Sequence, residues 1–253
     1  MRFGDLTYLE INELAQAGGV ALVPTGCTEQ QGPHLPVDFD SYWITQVAEG
    51  ISLAAQELDG ILSLVVPTLP FGPTPEHRGF GSGYIDLPQT LHEQVVFAML
   101  SSLADQRFQE IMLLTGCGQH HLQGVVERFN NAYMGHCRAQ IAALPLHDIW
   151  CRCGDAAVPG GHADSFATSI SLFLRYDSVR HEMIRDPHSA PVDWQDPNLD
   201  FSHYSRTGVI GDPTHASIEL GAKLWAQVIA SGVDQLVEFI QQSAPEQMVV
   251  EQD

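Results

Sequence analysis

Short apolar runs alternate with longer stretches of helical periodicity along most of this chain. A short apolar run predicts a buried strand, and apolar residues that recur every three or four positions predict an amphipathic helix. The predicted strands lie at residues 20–23, 61–66, 84–87, 111–114 and 141–149, and the predicted helices at 43–58, 91–103, from just after 121, at 170–174 and from 213 or 214 to 233. Strands that alternate with helices predict an α/β fold with a mainly parallel sheet covered on both faces.

Two stretches rich in proline and glycine, at residues 67–88 and 151–161, interrupt this alternation. Long loops in a compact domain are commonly functional, so we expect both to shape a binding pocket. The chain shows neither an internal repeat nor a convincing domain boundary, which predicts a single domain over residues 1–243. Residues 244–253 are predicted to form a flexible acidic tail.

Potential metal ligands and proton carriers are concentrated in three segments that follow predicted strands, at residues 29–40, 117–121 and 162–164. In an open α/β sheet, ligands bind in the crevice outside the carboxyl ends of the strands. We therefore expect these three segments to meet at one edge of the sheet. Together they offer carboxylate, thiol and imidazole groups, a combination that suits zinc held by three protein ligands and a water.

Each candidate also has an interpretation that involves no site. His34 lies in a proline-rich loop, where it is equally suited to bonding backbone groups, and His120 opens a helix, where it is equally suited to the surface. Cys117 is equally compatible with an inert buried thiol. Glu76 and His77 are equally compatible with an exposed loop pair.

Composition and charge restrict the class of ligand. The 31 acidic and 11 basic residues give a formal net charge of −20, which argues against nucleic acid and against anionic membrane surfaces. No apolar run approaches the roughly 18 residues that suggest a membrane span. Five cysteines without a secretory signal predict a reducing, cytoplasmic location and no disulfide framework. A small neutral or cationic substrate, or a bound cation, is easier to accommodate.

Residues 26–40 resemble the signature of the creatininase (creatinine amidohydrolase) family, approximately S-x-E-Q-H-G-P-H-L-P followed by an aspartate. This chain reads GCTEQQGPHLPVDFD there. Four later segments are similar to family elements in the same order: TPEHRGFGSGYIDL at 74–87, TGCGQHH at 115–121, HADSFATS at 162–169 and TGVIGDPTHAS at 207–217. The chain is therefore identified as a member of this family over nearly its whole length.

The resemblance implies a three-layer α/β/α sandwich, commonly a hexamer, that hydrolyses amide or cyclic amide bonds with two divalent metals. One family metal is held by Glu, Asp and His, and these positions correspond to Glu29, Asp40 and Cys117. The other is held by His, the same bridging Asp and Glu, and here the outer positions are Gln31 and Gln119. Thiolate still binds zinc, whereas a neutral amide is a poor ligand, so we expect one metal instead of two.

Two more departures from the family pattern concern the substrate and the helix that follows His162. The family's Glu of its E-T-S element corresponds to Ala167. The aromatic and acidic residues that would bind creatinine fall near Val158 and Pro159. Creatinine is therefore not the expected substrate.

The leading hypothesis is a hydrolase of a small amide with one metal, zinc in the first place and manganese or iron as alternatives. Catalytic residues would be His162 as proton carrier, with His34 or His120 in support; Gln31, Gln119 and His77 would be substrate-binding or vestigial metal positions. A second hypothesis is a catalytically inactive creatininase-fold protein, without metal, that serves binding or assembly. A third is metal-free catalysis with Cys117 as nucleophile.

Overall fold

Four parallel strands form the central sheet, in the order β2-β1-β3-β4. They are β1 (Val20–Thr25), β2 (Ser63–Val65), β3 (Glu110–Thr115) and β4 (Arg138–Ile141). The computed structural model describes residues 1–153, 161–185 and 187–243. Every residue of β1 is buried, as expected for a strand of a parallel sheet that is covered on both faces. The predicted parallel sheet is confirmed.

Helices cover both faces of this sheet. The α-helices of the described residues are α1 (Tyr8–Gln16), α2 (Phe39–Asp59), α3 (Gln89–Asp105), α4 (Gln123–Ala132), α5 (Leu146–Cys153), α6 (Ser165–Leu174) and α7 (Ile218–Ser243). Helices α2, α5, α6 and α7 share one core with Leu22 and Met112, and α1, α3 and α4 share a second core with Ala21 and Leu113. Because alternate residues of a strand point to opposite faces, these two cores make the predicted three-layer α/β/α sandwich.

The strand predicted at 141–149 is wrong over most of its length. Strand β4 ends at Ile141, and the helix α5 begins five residues later, at Leu146. The Ile149 amide donates to the Pro145 carbonyl, and Ile149 and Trp150 are buried in the core beside α7. Proline fits the start of a helix, and the apolar residues that follow it have helical spacing.

The short strand predicted at 84–87 is also wrong. The backbone forms an isolated bridge between Asp86 and Gly72 instead. The Asp86 carboxylate accepts a hydrogen bond from the Thr74 amide at 2.8 Å and pairs with Arg78. This carboxylate holds the segment in turns, with a short 3-10 helix at Pro75–Phe80.

The last helix begins at Ile218, later than the predicted 213 or 214, because the Asp212 carboxylate accepts from the Thr214 amide and forms a turn there. The predicted acidic tail at 244–253 lies outside the described residues, and so do Val158 and Pro159. Within the described ranges, no helix combines the length and the apolar character needed to cross a membrane.

Candidate metal centre and active site

The site begins where β1 and β3 end side by side. The register pairs Thr25 with Thr115, and each strand then continues into the same tripeptide, Thr-Gly-Cys, which ends at Cys27 and Cys117. The chain leaves β1 toward β2 on one side and reaches β3 on the other, so the strand order switches direction at this point. Such a switch point opens the crevice in which α/β proteins bind ligands.

Glycine at the middle of each tripeptide lets α2 approach the sheet. A Cβ on Gly26 would lie 2.6 Å from the Ser41 Cα, and a Cβ on Gly116 would lie 2.5 Å from the Asp40 carbonyl oxygen. Only residues without a side chain leave room for this first turn of the helix. The close approach carries the Asp40 carboxylate to the two strand exits.

Two carboxylates and two thiols meet at this point. One donor atom from each of Cys27, Glu29, Asp40 and Cys117 lies within 4.8 Å of the others. All four residues are buried, with exposed fractions between 0% and 6%. The predicted ligands Glu29, Asp40 and Cys117 are thus brought together, and the structure adds Cys27 to them.

Burial changes the protonation of this cluster. It raises the pKa of Glu29 to about 8, and burial together with the Glu29 charge raises the pKa of Asp40 well above its usual range. A hydrogen bond with Cys27 lowers the pKa of Cys117, but burial and the nearby carboxylates raise it overall, to about 12. Because buried negative charges require a proton or a cation, these groups either hold protons or bind a metal. Without one, Cys117 stays a thiol and is a poor nucleophile.

The amide of Gln31 lies against both carboxylates. Its Nε2 donates to Glu29 Oε1 at 3.3 Å and to Asp40 Oδ2 at 3.1 Å. An NH₂ group has no lone pair for a metal, and here it faces the carboxylate oxygens where the second family metal would need a ligand. Gln119 lines the same cleft. Both outer positions of the second family metal thus hold neutral amides, although Glu29, His77 and His162 form another group of donors within 4.8 Å of one another.

His162 and His77 face Glu29 from the other side. His162 Nδ1 lies 3.5 Å from Glu29 Oε1, and His77 Nε2 lies 3.4 Å from the same oxygen. The His162 Nε2–H donates to the Gln30 carbonyl at 2.6 Å, and the Gln30 side-chain NH₂ donates to His77 Nδ1 at 3.0 Å. These bonds leave the lone pair of His162 on Nδ1, directed at Glu29. The segment 162–164 precedes α6 and is not the strand exit that the sequence suggested.

His34 and His120 lie further from this carboxylate. His34 is fully buried and its Nε2 bonds the Thr168 hydroxyl at 2.8 Å, which ties the proline-rich loop to α6. His120 Nε2 faces Cys27 Sγ at 3.0 Å. Burial lowers the pKa of His34 to about 4 and of His120 to about 3, so both are neutral at physiological pH.

The cleft above the cluster has a volume of about 320 Å³. Its apolar lining includes Trp43, Trp150, Phe166, Trp194 and Phe201. Its acidic residues are Glu29, Asp40, Glu76 and Asp164, and no lysine or arginine is among the described residues that line it. The cleft therefore favours an uncharged or cationic group with an apolar neighbour.

Sequence reasoning missed Cys27, Gln30 and the aromatic residues Trp194 and Phe201 as parts of the site. For Cys27 a signal was present, because the tripeptide Thr-Gly-Cys occurs at both strand exits. For Gln30 the signal was weak, since its role depends on the fold bringing His77 and His162 together. Trp194 lies in an irregular segment whose position no periodicity indicates.

Comparison with known proteins agrees with the fold and the motifs. The creatininase family model, described as creatinine amidohydrolase, matches residues 4–240. The mycofactocin precursor peptide peptidase of Mycobacterium tuberculosis (strain CDC 1551 / Oshkosh) is 29% identical over 254 residues, which cover 94% of this chain and 93% of that protein.

Solved structures of the same fold are also similar. A candidate creatinine amidohydrolase from Bacteroides fragilis NCTC 9343 has a TM-score of 0.83 at 20% identity, with 95% of this chain and 96% of that chain covered. A creatininase described with Mn has a TM-score of 0.77 at 21% identity, with 94% and 98% covered. The match of the family model to almost the whole sequence shows that this chain belongs to the creatininase family of hydrolases.

Proposed function

We propose that this chain hydrolyses an amide bond in a small or peptide substrate, using one divalent metal bound by the cluster that contains Glu29, Asp40 and Cys117. The observation that carries the proposal is the position of His162 Nδ1, 3.5 Å from Glu29 Oε1 at the base of the cleft. A group of metal donors and a proton carrier thus meet at one carboxylate. Metal-assisted amide hydrolysis needs both.

The donor set suggests which metal is bound. Similar solved creatininases are described as a Mn form and as a Zn-Zn form. Carboxylate oxygens accept either ion, whereas the Cys117 sulfur favours zinc, with iron as an alternative. When bound, such a metal polarises the scissile carbonyl and lowers the pKa of water.

His162 is the proton carrier in this proposal. Burial, then the neighbouring His77, lowers the pKa of His162 well below its usual value, so the ring is neutral and able to accept a proton at Nδ1. The bond from Nε2–H to the Gln30 carbonyl fixes that tautomer. The proton is then passed to the leaving amine. His34 has a positioning role, because its bond to Thr168 holds the start of α6 next to His162.

The lining of the cleft supports an uncharged or cationic substrate. A carboxylate on the substrate would lie near Glu76 and Asp164 and would find no lysine or arginine in the described lining. The relative from Mycobacterium tuberculosis is called a precursor peptide peptidase, which supports a peptide amide as the scissile bond. A cyclic amide other than creatinine is the alternative within the same reaction class.

A second candidate function follows from the residues that have changed. Gln31, Gln119 and Ala167 replace the family's metal ligands and glutamate, which supports an inactive protein that keeps the fold for binding or assembly. We favour the hydrolase, because Glu29, Asp40 and His162 retain a connected geometry in the cleft.

Hydrolysis assays with zinc-loaded protein separate the two functions. The panel consists of short peptides with amidated ends, the same peptides with free carboxyl ends, creatinine and other cyclic amides. We expect hydrolysis of a peptide with an amidated end or of a cyclic amide other than creatinine, and a loss of about 10²–10⁴-fold in rate in His162→Ala. His136→Ala is the matched control and should keep full activity. His136 is exposed and lies just before the amino end of β4, whereas the site lies at the carboxyl ends of the strands. Turnover of none of these substrates would favour the inactive protein.

The proposal also includes the cellular compartment of this protein and its oligomeric state. The five cysteines are all free thiols, which supports a reducing compartment such as the cytoplasm. The family resemblance supports a homo-oligomer, with a hexamer as the expected form. The mass of the intact assembly in native mass spectrometry tests this expectation.

A further inference from the structure

Two thiols and one imidazole form a compact group beside the carboxylates. Donor atoms of Cys27, Cys117 and His120 lie within 4.8 Å of one another, and all three residues are buried. The sheet register fixes the two thiols, because each lies two residues after the paired Thr25 and Thr115. The family motif has metal ligands at neither the Cys27 nor the His120 position.

The position of His120 is set by its neighbours. A Cβ on Gly72 would lie 2.1 Å from His120 Nε2, so the ring occupies space that only a glycine leaves open. The His92 ring lies 4.6 Å away, between ring centres, on another side. Among the described residues, His120 Nδ1 has no hydrogen-bond partner, whereas Nε2 points at the Cys27 sulfur at 3.0 Å. The ring is therefore directed toward the thiols by packing.

The separations of these atoms agree with a tetrahedral ion. Zinc binds sulfur at about 2.3 Å and nitrogen or oxygen at about 2.0–2.1 Å, which places neighbouring donors about 3.5 Å apart. Cys27 Sγ and His120 Nε2 are 3.0 Å apart, and Cys117 Sγ and Glu29 Oε2 are 4.0 Å apart. A shift of about half an ångström brings Cys27 and His120 to the tetrahedral value.

Glu29 Oε2 is the carboxylate oxygen that faces Cys117. The other oxygen, Oε1, is engaged by Gln31 and faces His77 and His162. Asp40 Oδ2 also accepts a hydrogen bond from Gln31. The carboxylates of Glu29 and Asp40 thus form one group of donors with the two thiols, and His120 forms another with the same thiols.

We propose that the single metal of this chain is bound by Cys27, Cys117 and His120, with the fourth position open for a water or the substrate and the carboxylates of Glu29 and Asp40 beside the thiols. This inference rests on the proposed function in assuming that one metal is bound, and it replaces the family's oxygen-rich donor set by two sulfurs and one nitrogen. Two thiolates and an imidazole select zinc over manganese. The repeated Thr-Gly-Cys is the sequence feature that creates the site.

X-ray absorption spectroscopy at the zinc edge counts the sulfur ligands directly, without substrate. We expect two sulfurs at about 2.3 Å in the wild-type protein and one in Cys27→Ser. The control variant Cys137→Ser removes another buried thiol, which packs in the core with α1, α3 and α4. Zinc in this variant should retain two sulfur ligands. Cobalt(II) offers a second readout, because its sulfur charge-transfer absorption should fall by about half in Cys27→Ser and stay unchanged in Cys137→Ser.

The wild-type measurement decides the matter even if a variant fails to fold. A single sulfur per zinc would overturn this donor set and leave the one-metal hydrolase intact. Occupancy by manganese in preference to zinc, when both are supplied, would overturn it as well. A protein that retains no metal at all would overturn both this inference and the proposed function.

Discussion

Two glutamines occupy positions at which the family motif has metal-binding side chains. The NH₂ group of Gln31 donates to Glu29 and to Asp40 at 3.3 and 3.1 Å, so it gives both carboxylates a hydrogen bond but no positive charge. Gln119 lines the same cleft without a charge. At the scale of single residues, we expect these amides to limit the chain to one metal ion.

Restoring the family side chains should therefore restore the second metal. We expect the double variant Gln31→His with Gln119→Glu to bind two metal ions per chain, because it supplies an imidazole and a carboxylate beside the bridging Asp40. Inductively coupled plasma mass spectrometry of dialysed protein measures the ratio. A matched pair of exchanges at exposed glutamines, Gln56→His with Gln106→Glu, should leave the ratio at one metal ion per chain. A ratio of one in the first variant would show that the glutamines do not control the metal number.

Among the secondary-structure elements, α6 matters most for His162, because the loop before it holds that residue in place. Asp164 caps this helix: Oδ1 accepts from the amides of Phe166 and Ala167 at 3.0 and 3.3 Å, and Oδ2 accepts from the Gly161 amide at 2.8 Å. Burial raises the pKa of Asp164 to about 6, although these hydrogen bonds lower it.

This cap should make stability depend on pH. In the unfolded chain Asp164 titrates near 4, so the folded protein binds more protons at this residue between about pH 4 and pH 6. The resulting stability is fully present below pH 4 and is lost as the pH rises through 6. Asp164→Asn keeps the Oδ1 bonds and does not titrate. We expect the unfolding free energy of the wild type to fall by about 2–3 kcal/mol relative to this variant between pH 4 and pH 7.

Urea unfolding at several pH values measures that difference. Asp164→Ala also removes the Oδ1 hydrogen bonds. It should be about 1–2 kcal/mol less stable than Asp164→Asn at every pH tested. Parallel stability profiles for the wild type and Asp164→Asn would contradict the assigned titration.

Strong local patterns made several elements predictable. Strands β1 and β3 are apolar runs that are followed by glycine, and α2 ends before Gly60, which adopts the left-handed conformation common at helix ends. Helix α5 was missed because the apolar run that begins in β4 continues into it, and a continuous apolar run obscures the helical spacing of the later residues. The turn at 84–87 depends on Asp86, a single side chain that bonds the backbone twelve residues earlier.

At the scale of the whole molecule, the fold follows from the sequence, but the donor set does not. The alternation of strands and helices predicts the sandwich, and the family motifs place Glu29, Asp40 and Cys117 in one site. The approach of Cys27 and His120 depends on the strand register and on the space left by Gly72, and these are relations between distant segments. Only the folded chain brings them to the same point.

The central claim is that this creatininase-family chain binds one metal ion at the β1 and β3 exits. Native mass spectrometry of protein purified without added metal measures the number of metal ions per chain and the number of chains per assembly together. We predict one zinc per chain in the wild type and a clear loss of zinc in Cys117→Ala. Two metal ions per chain, or a wild-type protein free of metal, would contradict the account.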